Sequence, residues 1–147
     1  MNGDYFNATY TPRFHGVFIS AGFLTDQFGV SGNAGEFNGA ERVNLYSAVM
    51  SSDFRNATID LWFKDNAPVG TGIRVLVWEG KLNQAGYTVR RLSNGILQTR
   101  FGELFSNTNE TVLESNTTYN DGQWHHLAED TTTNSGPHSL YMYVDGV

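Results

Sequence analysis

Period-two alternation, broken about every ten residues by turn chemistry, constrains this chain more than any other feature. A β-strand sends successive side chains to opposite faces, so alternation marks a sheet with one covered face. No segment of ten or more residues carries a helical stripe. Strands are expected at 13–20, 34–38, 41–47, 57–64, 73–79, 86–92, 96–102, 110–114, 123–131 and 139–144. The connections include Gly29-Val30-Ser31-Gly32-Asn33, Asp65-Asn66-Ala67-Pro68, Asn120-Asp121-Gly122 and Asn134-Ser135-Gly136-Pro137. Asn94-Gly95, between two alternating runs, is the strongest hairpin signal. Short strands at this spacing predict an all-β fold, a two-sheet antiparallel β-sandwich or jelly roll.

Composition agrees with that prediction. The 147 residues suffice for one domain with its own core, and 39% hydrophobic against 16% charged residues argues against disorder. Residues 1–12, rich in Asn and Thr, are expected to form a linker or an edge strand, and 13–147 the sandwich domain. The net charge is −6 and only Lys64 and Lys81 are lysines, so nucleic acid and anionic membrane surfaces are poor partners. No apolar run approaches membrane-spanning length, so no membrane insertion is expected. With no cysteine, disulfides and thiolate metal sites are excluded.

Alternation also assigns faces. Ile59, Leu61 and Phe63 share one side of their strand and read as core, opposite Thr58, Asp60, Trp62 and Lys64. Leu140, Met142 and Val144 likewise oppose Tyr141 and Tyr143. Aromatic residues recur on the face away from the inferred core. Either a second buried layer or a ligand platform explains that.

The last quarter carries the most specific pattern. Asp121-Gly122-Gln123-Trp124-His125-His126-Leu127-Ala128, followed by Leu140-Tyr141-Met142-Tyr143-Val144-Asp145-Gly146-Val147, resembles the laminin-G-like jelly roll of the concanavalin A-like lectin/glucanase superfamily. Thr25-Asp26-Gln27-Phe28-Gly29, Ala34-Gly35-Glu36-Phe37-Asn38-Gly39, Val43-Asn44-Leu45 and Ala57-Thr58-Ile59-Asp60-Leu61-Trp62-Phe63-Lys64 resemble its earlier strands. The resemblance covers roughly residues 14–147. It implies a structural role for Trp124, His125 and His126, with the Trp filling the core and His hydrogen-bonded nearby. Asp145 and Gly146 are then the turn that closes the motif. Further strands follow this turn in the family, so the chain is expected to be incomplete at its C-terminus, or else to replace those strands with N-terminal ones such as 5–10.

Catalysis is not expected. Glycoside hydrolysis needs a pair of carboxylates about 5–5.5 Å apart in retaining enzymes. The glucanase pattern of alternating acids on one strand is missing, and Glu110/Glu114 and Glu129/Asp130 read as solvated surface. No Gly-x-Ser-x-Gly elbow or phosphate loop occurs. The adjacent His125 and His126 diverge, which disfavours a shared metal. The family resemblance allows one calcium at the sandwich rim, with Asp65 and Asp121, beside Asn66 and Asn120, as oxygen donors; default turn chemistry is the competing reading of the same residues. For a glycan, Trp62, Trp78, Tyr87, Tyr141 and Tyr143 are the candidate aromatic platform, with Asp60, Asn44, Arg74 and Arg90 as polar neighbours. Together these imply a non-catalytic binding module of a larger extracellular or cell-surface chain, taking a glycan or an extracellular protein. A degenerate glucanase is the further alternative. Four Asn-x-Ser/Thr sequons, at Asn7, Asn56, Asn109 and Asn116, are compatible with that setting.

Overall fold

The computed structural model describes residues 16–19, 22–39, 41–45, 57–80, 85–103, 110–132 and 139–147. Every regular element among them is a strand. The chain divides into two compact units, Met1–Ser51 and Ser52–Val147. Residues 1–12, expected as linker or edge strand, lie outside the described residues.

In the first unit, β1 (Gly16–Ile19) pairs antiparallel with β4 (Arg42–Leu45), and β2 (Gly22–Leu24) with β3 (Ala34–Glu36). The three-residue β2 is absent from the sequence reading, being too short to show alternation. Asp26 shapes its connection to β3. Its carboxylate accepts the N–H groups of Phe28 and Val30 and the side-chain amide of Asn33. The Val30 N–H contributes most to holding this carboxyl below the usual range.

The second unit holds β5 (Ala57–Lys64), β6 (Arg74–Gly80), β7 (Ala85–Arg91), β8 (Ile96–Glu103), β9 (Glu110–Thr118), β10 (Trp124–Thr132) and β11 (Ser139–Val144). They form two antiparallel sheets, ordered β11-β10-β5 and β6-β7-β8-β9. The predicted positions hold closely, although β9 runs four residues past the expected end at 114. At the β7–β8 hairpin, Asn94-Gly95 performs as its sequence implies. Gly95 takes φ 93°, its N–H donates to the Leu92 carbonyl, and Leu92 N–H donates to the Ile96 carbonyl.

The sheets pack face to face across a core that alternation largely anticipates. Phe63, Leu127 and Val144 of the three-stranded sheet are buried, as are Tyr87, Val89, Leu97 and Phe101 of the four-stranded one. Each such side chain contributes on the order of 1.5–3 kcal/mol by leaving water. Polar links cross the same space. Tyr87 and Thr99 both donate hydroxyl hydrogen bonds to the Glu129 carboxyl, and the Thr99 hydroxyl also lies 3.8 Å from the Met142 sulfur. This is a β-sandwich.

Two acids depart from the sequence reading. Glu129, expected on the surface, is fully buried, because period two places it on the Leu127 face of β10. Glu110, expected on the surface too, has its side chain only 3% exposed and ion-paired with Arg100. Their neighbours behave as expected: Glu114 is exposed and Asp130 half-exposed.

Candidate functional site

The outward face of the three-stranded sheet is the candidate site, and strand register builds it. β10 pairs with β5 so that His126 lies opposite Trp62, Ala128 opposite Asp60, and Asp130 opposite Thr58. On its other side β10 pairs with β11, setting Ala128 opposite Tyr143 and Asp130 opposite Tyr141. Because Leu127, Glu129 and Val144 point into the core, these alternate residues point away from it.

Ala128 is the smallest side chain at the centre of this face, so side-chain size makes a shallow depression there, floored by its methyl. His126 and Asp130 flank it along β10, roughly 7 Å away on either side by strand geometry. Asp60 and Tyr143 flank it across the neighbouring strands. Trp62 and Tyr141 stand at opposite corners. Trp62, Tyr141 and Tyr143 keep 44%, 49% and 46% of their surface exposed, too much for core packing and enough to offer ring faces. The Trp62 and His126 rings lie 5.0 Å apart, tilted by 39°. Asp60 Oδ2 is 3.1 Å from His126 Nε2, and Asp130 Oδ1 accepts the Thr58 hydroxyl at 3.3 Å. Flat apolar surfaces therefore alternate with fixed carboxylate acceptors.

Of the five rings expected on a platform, three converge here. Trp78 does not: it pairs in register with Thr88 on the other sheet, and Thr88 alternates with the inward-facing Tyr87. Tyr87 has to be withdrawn as a ligand residue, because it is fully buried with its hydroxyl donated to Glu129. Burial, and the Glu129 charge beside it, push its phenol far above the usual range. Arg74 and Arg90 also belong to the four-stranded sheet. Among the described residues, Ala128, Asp130 and Thr58 are the site members that sequence reasoning missed. Their signal is the β5-β10-β11 register, which alternation within one strand does not contain.

The Trp-His-His motif resolves differently for each residue. Trp124 does not fill the core. It is half-buried on the outward face with His126, since period two ties it to that residue and sets it against the buried Leu127. His125 is on the inner side at the sandwich end, beside the Phe63 and Tyr119 rings at centroid distances of 5.6 and 5.0 Å. Its Nδ1 lies 2.8 Å from Asp145 and its Nε2 3.0 Å from Asp121. One imidazole thus ties the turn before β10 to the turn after β11. Desolvation is the largest single influence on its pKa and lowers it, yet the bonds and charges of Asp145 and Asp121 together outweigh this and raise it. Asp145 also accepts the His126 N–H and stands in the left-handed region at φ 55° beside Gly146.

The rim residues weighed as calcium donors are engaged in turn chemistry, the competing reading of them. Asp65 spends one carboxylate oxygen on the Arg91 guanidinium and the other on the Ala67 N–H. Asp121 accepts the Gln123 N–H and His125. Asn120 donates to the Ala67 carbonyl, and the Asp65 carbonyl accepts the Gly122 N–H. These groups close loops onto one another, with the Arg91 guanidinium beside Asp65 and the His125 ring beside Asp121. Among the described residues no three His, Cys, Asp or Glu side chains are grouped as metal ligands.

A laminin G family model, described as the concanavalin A-like lectin/glucanases superfamily, matches residues 37–147. The chain belongs to this superfamily. The match includes the whole outward face of β5, β10 and β11 and both histidines of the motif. Comparison with curated proteins returned no match. Membership in this lectin-like superfamily supports a binding module of sandwich architecture, and the superfamily's description spans both lectins and glucanases.

Proposed function

We propose that the protein is a non-catalytic glycan-binding module of an extracellular or cell-surface chain, with the Ala128 depression as its binding surface. The observation that carries this reading is the convergence of Trp62, Tyr141 and Tyr143, each nearly half exposed, around a methyl floor edged by Asp60 and Asp130. Sugar rings present apolar C–H faces and equatorial hydroxyls. Aromatic rings cover the first and carboxylate oxygens accept from the second.

Two features favour binding over hydrolysis. A glycosidase acid needs a raised pKa at a position that substrate can reach. Among the described residues, the carboxyl raised by burial is Glu129, sealed between the sheets by Tyr87 and Thr99. Asp130 and Asp60 are already acceptors for Thr58 and His126.

The test is calorimetry against immobilised or soluble oligosaccharides, with Ala128→Leu, Tyr141→Ala and Tyr143→Ala as variants. Filling the depression with Leu should abolish binding. Each lost ring should weaken it by about 1–1.5 kcal/mol, close to tenfold in Kd. All three side chains point outward, so the melting temperature should hold within a few degrees. Unchanged affinity in all three variants would contradict the proposal.

A further inference from the structure

We infer that this face selects uncharged glycans and discriminates against anionic ones, an inference that rests on the glycan-binding reading above. The carboxylates of Asp60 and Asp130 occupy diagonal positions beside Ala128 on neighbouring strands. Asp60 is exposed and Asp130 half-exposed, so both meet anything seated in the depression. A sugar hydroxyl donates to such an oxygen in a charge-assisted hydrogen bond. A sulfate or uronate group has no proton to donate there and brings like charge against like.

Among the described residues of this face, the groups that can carry positive charge are His126, 3.1 Å from Asp60 and cationic only when protonated, and Lys64. Lys64 is the lysine of this face, and it pairs in register with Trp124, roughly 13 Å along the strand from the Ala128 row. Among the described residues of this unit the arginines lie on β6, β7 and β8, in the other sheet. Three of them are already engaged: Arg91 with Asp65, Arg100 with Glu110 and Arg90 with Gln98. A sulfate-binding surface needs arginine forks or clustered lysines in reach of the ligand. The net charge of −6 adds long-range repulsion of polyanions.

The experiment pairs neutral oligosaccharides of glucose, galactose, mannose and N-acetylglucosamine with their sulfated counterparts, measured by calorimetry on the full chain. The expected result is a neutral probe bound at least tenfold more tightly than its sulfated partner, with an affinity that is flat between low and high salt. In the double variant D60N/D130N that ratio should shrink severalfold as the repulsion goes. Should sulfated probes bind equally or better, and lose that binding in Ala128→Leu, the charge selection is overturned while the depression stands as a glycan site. Should no probe of either kind bind, the glycan reading falls and the selectivity with it.

Discussion

At the scale of single residues, two ionisable side chains do structural work, His125 as the family resemblance implies and Glu129 against its reading as solvated surface. His125 spans Asp121 and Asp145 with both ring nitrogens, an arrangement that favours imidazolium. Its folded pKa is raised, so its contribution to stability is full below the unfolded value of about 6.5 and is lost as pH rises through the folded value. The aspartates are lowered, Asp121 chiefly by the Gln123 N–H and Asp145 chiefly by His125. Their contribution is full above about 3.9 and is lost as pH falls through their folded values. The clamp is therefore strongest between about pH 4 and 6.5, and thermal melts should show His125→Gln flattening the decline in Tm above pH 6.5. An unchanged profile would remove the clamp. Glu129 has the opposite history: burial raises its pKa, so its stabilising protonated form is full below about 4.3 and lost as pH climbs through the folded value. Glu129→Gln should cost under about 1 kcal/mol in denaturant titrations at pH 7, since the amide keeps an acceptor for Tyr87 or Thr99. Glu129→Ala should cost about 2–4 kcal/mol, leaving two buried hydroxyls without their acceptor and a cavity around them.

At the scale of elements, alternation and turn chemistry made most of the sandwich legible. β5, β7, β8, β10 and β11 fall within a residue or so of their predicted spans, because each carries an alternating run with at least one buried face. The hairpin glycine illustrates how local the information is. Gly95 is needed for its φ of 93°, which the sequence announces, and also because a Cβ there would stand 2.6 Å from the Asn120 side-chain oxygen, which it does not. Gly95→Ala should therefore cost more than the roughly 1 kcal/mol of left-handed backbone strain alone, measured as a shift in denaturation midpoint. A change within about 0.5 kcal/mol would show the hairpin to be more yielding than this geometry implies. Illegible elements were those lacking alternation or depending on partners. β2 is three residues long, and Glu110 looks solvated until Arg100 is placed beside it.

At the scale of the whole molecule, the proposed binding surface turns on register between strands distant in sequence. Trp62, Ala128 and Tyr143 belong to β5, β10 and β11, and nothing in any one strand says that they share a row or its neighbour. Three of the five candidate rings share one outward surface because outward alternation is local information. Sequence reasoning misassigned Tyr87 because β7 is buried on both faces, with Tyr87 and Thr88 both inaccessible. It took the Trp of the motif for core because the family resemblance gives the motif but not the face. The measurement that bears most directly on the proposed binding surface is a chemical-shift titration with the neutral oligosaccharide series, following the Ala128 methyl and the indole N–H groups of Trp62 and Trp78. Saturable shifts at Ala128 and Trp62 with Trp78 unmoved are the predicted result; shifts centred on Trp78, or none at Ala128, would contradict it.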